Sequence, residues 1–149
     1  MPVEQIKTAV DYGIIGLLVF LSFITFAFAI ERWLYFRSVN VEEFRHEKEL
    51  ELALTKHLGT IASIGSNAPY IGLLGTVLAI ILTFYIIGQK HADIDPGEIM
   101  QHLALALKAT AAGLVVAIPA TAIYNALLTK VDRLLGKWEI ARDEGRLKR

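Results

Sequence analysis

Three long apolar blocks constrain the fold of this chain more than any other feature. Residues 12–30 and about 61–88 contain no charge, and residues 103–128 contain one, Lys108. At 1.5 Å per residue, even the first block forms a helix about 29 Å long, which matches the hydrocarbon thickness of a bilayer. A chain of 149 residues has too little polar sequence to cover three such helices in water. We therefore expect an all-α membrane protein with three transmembrane helices in a single domain, residues 1–149.

The first block could alternatively be a secretory signal peptide. Signal peptides have a shorter apolar region, preceded by a positive segment and followed by a small-residue cleavage site. Here Glu4, Lys7 and Asp11 precede the block, and Ala29 leads through Ile30 directly into Glu31. We expect the block to remain attached as a span.

The distribution of Lys and Arg predicts the direction of the spans. The segment before the first span and the turn between spans two and three carry one each, Lys7 and Lys90. Residues 31–60 carry five and residues 129–149 carry seven. Because positive segments are retained on the cytoplasmic side, we expect 31–60 and 129–149 to be cytoplasmic and the N-terminus to lie outside.

Helical spacing extends beyond the apolar blocks. Before the second span and in the tail, apolar residues recur every three or four positions, which predicts amphipathic helical extensions of spans two and three. A tail helix lying on the membrane surface is the alternative. The residues on these two faces are Leu50, Leu54, His57, Leu58 and Ile61, and Val131, Leu134, Leu135, Trp138 and Ala141.

The turn before the third span contains a helix start signal. Residues 95–98, Asp-Pro-Gly-Glu, place an Asp at the N-cap, a Pro at the first helical position and a Glu at the third. His91, Asp93 and His102 lie nearby and form a weak candidate for a metal site. We favour a solvated loop there, because the ligand spacing does not repeat.

Small and polar residues form one stripe on each of spans two and three. Such stripes allow close helix packing, and their threonine hydroxyls could instead line a pore; both interpretations stay open. The hydroxyls could also bond to carbonyls one turn earlier. The stripes are Gly65, Pro69, Gly72, Thr76, Ala79 and Thr83 on span two, and Ala106, Thr110, Gly113, Ala117 and Thr121 on span three.

Two residues of the third span stand apart from its stripe. Lys108 is an intramembrane charge, which often marks function. It lies near the end of the span, however, where its ammonium can reach the headgroups, so we favour lipid contact over an ion-path role. Pro119 frees a backbone carbonyl and could kink the helix.

Composition excludes several function classes. The chain has no cysteine and four scattered histidines, so thiolate chemistry and cysteine metal sites are absent. No basic stripe indicates nucleic-acid binding, and we expect neither an enzyme nor a cofactor, because no nucleophile or acid pair lies at a membrane-accessible position.

Two motifs make the sequence recognisable. Residues 68–77, A-P-Y-I-G-L-L-G-T-V, resemble the A-P-x-x-G-L-L-G-T-V signature of the ExbB/TolQ proton-channel family. Residues 106–120, A-L-K-A-T-A-A-G-L-V-V-A-I-P-A, are similar to its A-L-x-x-T-A-x-G-L-x-x-A-I-P-A signature. The Glu31-Arg32 pair and Tyr124-Asn125 are similar to further family positions. MotA is a more distant relative.

The resemblance implies a homopentamer around a central pore lined by spans two and three. A dimer of single-span ExbD-type helices would sit inside the pore, and proton flow through an ExbD aspartate would drive TonB. The family's pore threonines correspond to Thr76 and Thr110, and Leu105 replaces a glutamate found in many relatives. The motifs also assign helix packing or a kink to Pro69, Gly72, Gly75, Gly113 and Pro119.

Two other functions compete with this one. TolQ of the Tol-Pal envelope system belongs to the same family and is separated poorly by sequence. A membrane scaffold or small solute carrier without proton coupling is the alternative from another class, and it would not depend on a partner with an intramembrane acid.

Overall fold

Four α helices make up most of the chain. A computed structural model describes residues 2–90 and 95–148. The helices are α1 (Val3–Ser38), α2 (Glu47–Leu54), α3 (Leu58–Gln89) and α4 (Pro96–Asp143), with a short 3-10 helix at Val41–Glu43. The described residues contain no strand. By length and composition, α1, α3 and α4 can each cross a membrane, which confirms the prediction of an all-helical protein with three spans.

The helix before the second span differs from the sequence prediction. Helical spacing predicted one continuous helix through residues 50–61, but α2 ends at Leu54 and α3 begins at Leu58. His57 has a φ of 70°, a left-handed conformation that no α helix contains. The His57 ring stacks on Phe28 of α1, with the ring centroids 4.2 Å apart. A tertiary contact is thus made at the position where the helix is broken.

The chain forms two compact units. The first contains α1 up to Ser22 together with Ile64–Pro119, and the second contains Phe23–Ser63 together with the chain from Ala120 onward. The buried core of the first unit is small, with Leu18, Ala68 and Ala117 at its centre. Large apolar side chains on its outer faces are exposed, among them Phe20 at 58% and Val115 at 70%. Such extensive apolar exposure is typical of a surface covered by lipid or by other subunits.

The second unit has a larger core, and it includes the predicted apolar face of the tail. Val131, Leu134 and Trp138 are buried against side chains of α1, α2 and the start of α3. Other segments of the same chain thus cover this face, which favours the packing interpretation over a helix lying on the membrane. The buried core residues are Phe36, Leu50, Leu54, Leu58, Ile61, Leu127, Val131, Leu134 and Trp138.

Trp138 also anchors the tail through a hydrogen bond. Its indole Nε1–H donates to the Phe44 carbonyl oxygen at 2.9 Å. We expect Trp138→Phe to lower the free energy of unfolding by about 1–3 kcal/mol, because the carbonyl loses its donor while most of the ring packing remains. Chemical denaturation in detergent measures this change. Trp33→Phe is the control, since Trp33 is 54% exposed, and an equal loss in both variants would contradict the prediction.

Candidate functional site

The stripes of small residues on α3 and α4 meet in backbone contact. A Cβ atom built on Gly72 would lie 2.6 Å from the Ala109 carbonyl oxygen and 3.0 Å from the Gly113 Cα. A Cβ built on Gly113 would lie 2.6 Å from the Ala68 carbonyl oxygen. Real Cβ atoms do not approach backbone so closely, so only glycine fits at either position. At Gly75, a Cβ would clash with the Ala109 side chain at 2.8 Å.

One turn along α3 from Gly72, two threonine hydroxyls form a pair. Thr76 is buried, and its hydroxyl donates to the Ala106 carbonyl oxygen of α4 at 2.8 Å. The Oγ1 atoms of Thr76 and Thr110 are 2.5 Å apart. A hydroxyl has one proton and two acceptor sites, so Thr110 must be the donor to Thr76. The remaining capacity of the Thr110 hydroxyl is therefore to accept a hydrogen bond.

The backbone contact between α3 and α4 and the few available rotamers hold the two threonine hydroxyls in position. Threonine is branched at Cβ and has few χ1 rotamers in a helix, and the glycine contact holds the two backbones close enough for the hydroxyls to bond. Thr76 is only 5% exposed, whereas Thr110 is half-buried. Thr110 is thus the member of the pair that another molecule can reach.

The other predicted pathway residues lie elsewhere. The Thr83 hydroxyl is buried and donates to the Ala79 carbonyl oxygen of its own helix at 2.8 Å. Thr121 belongs to the second unit and is exposed. Pro69 and Pro119 lie inside α3 and α4, and both helices continue through them without interruption. The structure therefore brings Thr76 and Thr110 together with the glycines, and leaves Thr83 and Thr121 outside that group.

Arg32 of the Glu31-Arg32 pair is buried in the second unit. Its guanidinium donates to the Ala53 carbonyl oxygen at 2.7 Å and to the Leu54 carbonyl oxygen at 3.4 Å, at the end of α2. It also pairs with the Glu31 carboxylate and lies over the Tyr35 ring, 4.4 Å from its centroid. The resemblance singled out the Glu31-Arg32 pair, but sequence reasoning missed that Arg32 caps the end of α2. The only sequence signal for such a cap was that no glycine directly follows α2 to end the helix.

The loop end of α4 carries a second polar group. The Asp95 side chain accepts from the Gly97 N–H at 3.0 Å, as predicted for an N-cap, but Glu98 pairs with Lys90 at 3.2 Å rather than completing a capping box. Lys7 Nζ and His102 Nδ1 are 2.8 Å apart, a contact that the sequence did not predict.

The structure does not test the hypothesis of a metal site at this loop. His91 and Asp93 lie outside the described residues. Within the described ranges, no three potential ligands cluster in a way that could hold a metal ion.

Three membrane-spanning helices, with an interhelical hydroxyl pair at a glycine contact, define this as a helical membrane protein with polar chemistry inside its spans. Comparison of the sequence with known protein families identifies a more specific class. Residues 35–140 match the MotA/TolQ/ExbB proton channel family, and the chain belongs to it. This is a family of channel proteins rather than of enzymes.

Individual relatives agree with this assignment. The chain is 56% identical to "Biopolymer transport protein ExbB" of Aquifex aeolicus, over 95% of both chains. It is also 56% identical to "Putative biopolymer transport protein ExbB-like 2" of Helicobacter pylori, over 90% of this chain and 89% of that one. A "Tol-Pal system protein TolQ" of Pseudomonas aeruginosa is 36% identical, over 72% of this chain and 45% of its own length.

Proposed function

We propose that this chain is the proton-channel subunit of a TonB-type motor in the bacterial inner membrane. Five copies surround a central pore, an ExbD-type single-span partner lies inside it, and proton flow drives TonB-dependent uptake across the outer membrane. The likeness to ExbB over 95% of both chains supports this assignment. In this arrangement the N-terminus is periplasmic. Residues 31–60 and 129–149 are cytoplasmic, and Glu31 and Arg32 lie at the cytoplasmic interface.

The observation that carries the proposed mechanism is the direction of the hydroxyl chain. Thr76 donates to the Ala106 carbonyl oxygen, and Thr110 donates to Thr76, so Thr110 can only accept from a third group. A protonated carboxylic acid is a donor and an ionised one is not. Thr110 would therefore stabilise the protonated form of an acid that enters the pore.

The titrating acid must then come from the partner. The three apolar blocks contain no Asp or Glu, and Leu105 occupies the position where many relatives have a glutamate. Since the subunit supplies hydroxyls without a carboxylate, the proton carrier in this mechanism is the aspartate of the ExbD-type helix. Because the spans lack Asp and Glu, this mechanism differs from one in which a carboxylate of the channel subunit itself gains and loses the proton.

Replacing the hydroxyls tests the mechanism. We expect Thr110→Val to lower partner-dependent proton flux in proteoliposomes roughly ten-fold, because a methyl group cannot accept a hydrogen bond from the acid. Thr76→Val should have a similar effect, since Thr110 then loses its acceptor and its hydroxyl proton is free to turn outward. Thr110→Ser should retain most of the flux.

Thr129→Val serves as the matched control. The Thr129 hydroxyl is exposed and donates to the Asn125 carbonyl oxygen within α4, so its loss should leave proton flux unchanged. If the Thr76→Val/Thr110→Val double variant binds the partner and conducts at the full rate, the hydroxyls serve packing alone and the mechanism is wrong.

The TolQ assignment and the scaffold assignment make different predictions for purification. The TolQ likeness covers 72% of this chain, so TolQ is the second candidate. Native mass spectrometry of the complex purified in detergent reports both the copy number and the partner. Five copies with an ExbD-type partner and TonB support our proposal. Co-purification with TolA supports TolQ, and a stable monomer or dimer without a partner supports a scaffold.

A further inference from the structure

The first unit contains a cavity between α1 and α4 that the hydroxyl mechanism does not use. Its volume is about 330 Å³, within the range of small-ligand sites. Five of the residues that line it come from α1 and three come from α4. They are Lys7, Thr8, Asp11, Tyr12 and Ile15, and Leu105, Lys108 and Ala109.

The lining of the cavity changes from polar to apolar. Lys7, Thr8 and Asp11 precede the apolar block of α1, whereas Ile15 lies within it. On α4, Leu105 and Ala109 are apolar residues near the start of the third block. The cavity therefore crosses the level at which a bilayer changes from headgroups to hydrocarbon. A ligand that fits it is polar at one end and apolar at the other.

Two opposite charges in the cavity lack partners. Lys7 Nζ is hydrogen-bonded to His102. Lys108 and Asp11, however, are exposed, and their charged groups make no hydrogen bond or ion pair with any part of the chain that the structure describes. A charge inside a span is costly unless it is paired or reaches the interface. A ligand carrying one anion and one cation would satisfy both groups.

We propose that this cavity binds the headgroup of phosphatidylethanolamine. The lipid phosphate pairs with Lys108, the primary ammonium of the headgroup donates to Asp11, and an acyl chain begins along Ile15, Leu105 and Ala109. The proposal requires only that the helices span a membrane and is independent of proton conduction.

The charges favour this occupant over phosphatidylglycerol, which would pair with Lys108 but has no cation for Asp11. A second copy of this chain would bring its own Lys7, Asp11 and Lys108 to the same level of the membrane. A cavity filled by a second copy would bind no phosphatidylethanolamine, so the lipid titration below distinguishes these two occupants.

Lipid binding by the full-length protein tests the proposal. We would delipidate the purified assembly in detergent, titrate it separately with phosphatidylethanolamine and with phosphatidylglycerol, and count bound lipids by native mass spectrometry. The wild-type protein should bind phosphatidylethanolamine more tightly. Lys108→Gln should weaken both lipids roughly ten-fold, and Asp11→Asn should weaken only phosphatidylethanolamine, because a charge-assisted hydrogen bond is lost in each case.

Control variants make the outcome decisive. Lys137→Gln and Asp132→Asn change exposed charges of the second unit and should leave binding of both lipids unchanged. Lys108→Arg keeps the charge and should retain binding, which serves as the test if Lys108→Gln does not assemble. The proposal is overturned if wild type prefers phosphatidylglycerol, if Asp11→Asn weakens both lipids equally, or if inorganic phosphate displaces the lipid.

Discussion

Gly113→Ala is expected to lower both the thermal stability of the purified protein and its proton flux. The new Cβ would lie 2.6 Å from the Ala68 carbonyl oxygen, which is backbone and cannot rotate away. The helices must separate, at a cost of about 1–3 kcal/mol or more. The separation would also lengthen the Thr76–Thr110 hydrogen bond, so proton flux should fall together with stability. Thermal unfolding in detergent and flux in proteoliposomes measure the two effects.

Gly88→Ala is the matched control for this prediction. Gly88 lies on α3, the helix that Gly113 contacts, but a Cβ atom added to it would meet no atom within 4 Å, and alanine is the better helix former. This variant should be as stable as wild type or slightly more so. If Gly113→Ala were equally stable, α3 and α4 could not be in backbone contact at this position.

Arg32→Leu is expected to have the largest effect on the second unit. Two carbonyl oxygens at the end of α2, those of Ala53 and Leu54, lose their side-chain donor in a buried site. Each unsatisfied group costs about 1–3 kcal/mol, so we expect a loss of about 2–6 kcal/mol in the free energy of unfolding. Arg32→Lys should recover only part of it, because an ammonium cannot reproduce the planar fork of donors.

Arg37→Leu separates this role from a general effect of removing positive charge. Arg37 is exposed, and its guanidinium lies over the exposed Trp33 ring at 4.7 Å from the centroid. Its loss should change stability by less than about 1 kcal/mol. Urea denaturation followed by tryptophan fluorescence compares the variants, and similar midpoints for Arg32→Leu and Arg37→Leu would disprove the capping role.

The number and type of the long helices could be predicted because they depend on local sequence. An apolar run of sufficient length becomes a span whatever its neighbours are, and the Asp95 N-cap depends on residues two positions away. The break at His57 could not be predicted, because helical spacing continues through it. The stacking on Phe28 accompanies it and joins positions far apart in the chain.

The two stripes of small residues show what helical periodicity can predict and what it cannot. It placed Gly72 and Thr76 on one face of α3, and Gly113 and Thr110 on one face of α4. It could not tell whether those faces meet each other or line a pore, because an angle on a helical wheel contains no distance. The bond from Thr76 to the Ala106 carbonyl oxygen depends on the distance between two helices, as does the contact between Lys7 and His102.

The glycine contact also limits how a wall built from these helices can move. With no side chain between Gly72 and Gly113, turning α3 or α4 about its own axis by one residue, about 100°, would bring a bulky neighbour, such as Leu73 or Leu114, against the opposite backbone. Near this crossing the two helices therefore move together as one rigid pair. In the proposed pentamer, widening the pore would change the contacts between neighbouring pairs and leave the contact between α3 and α4 within each pair intact.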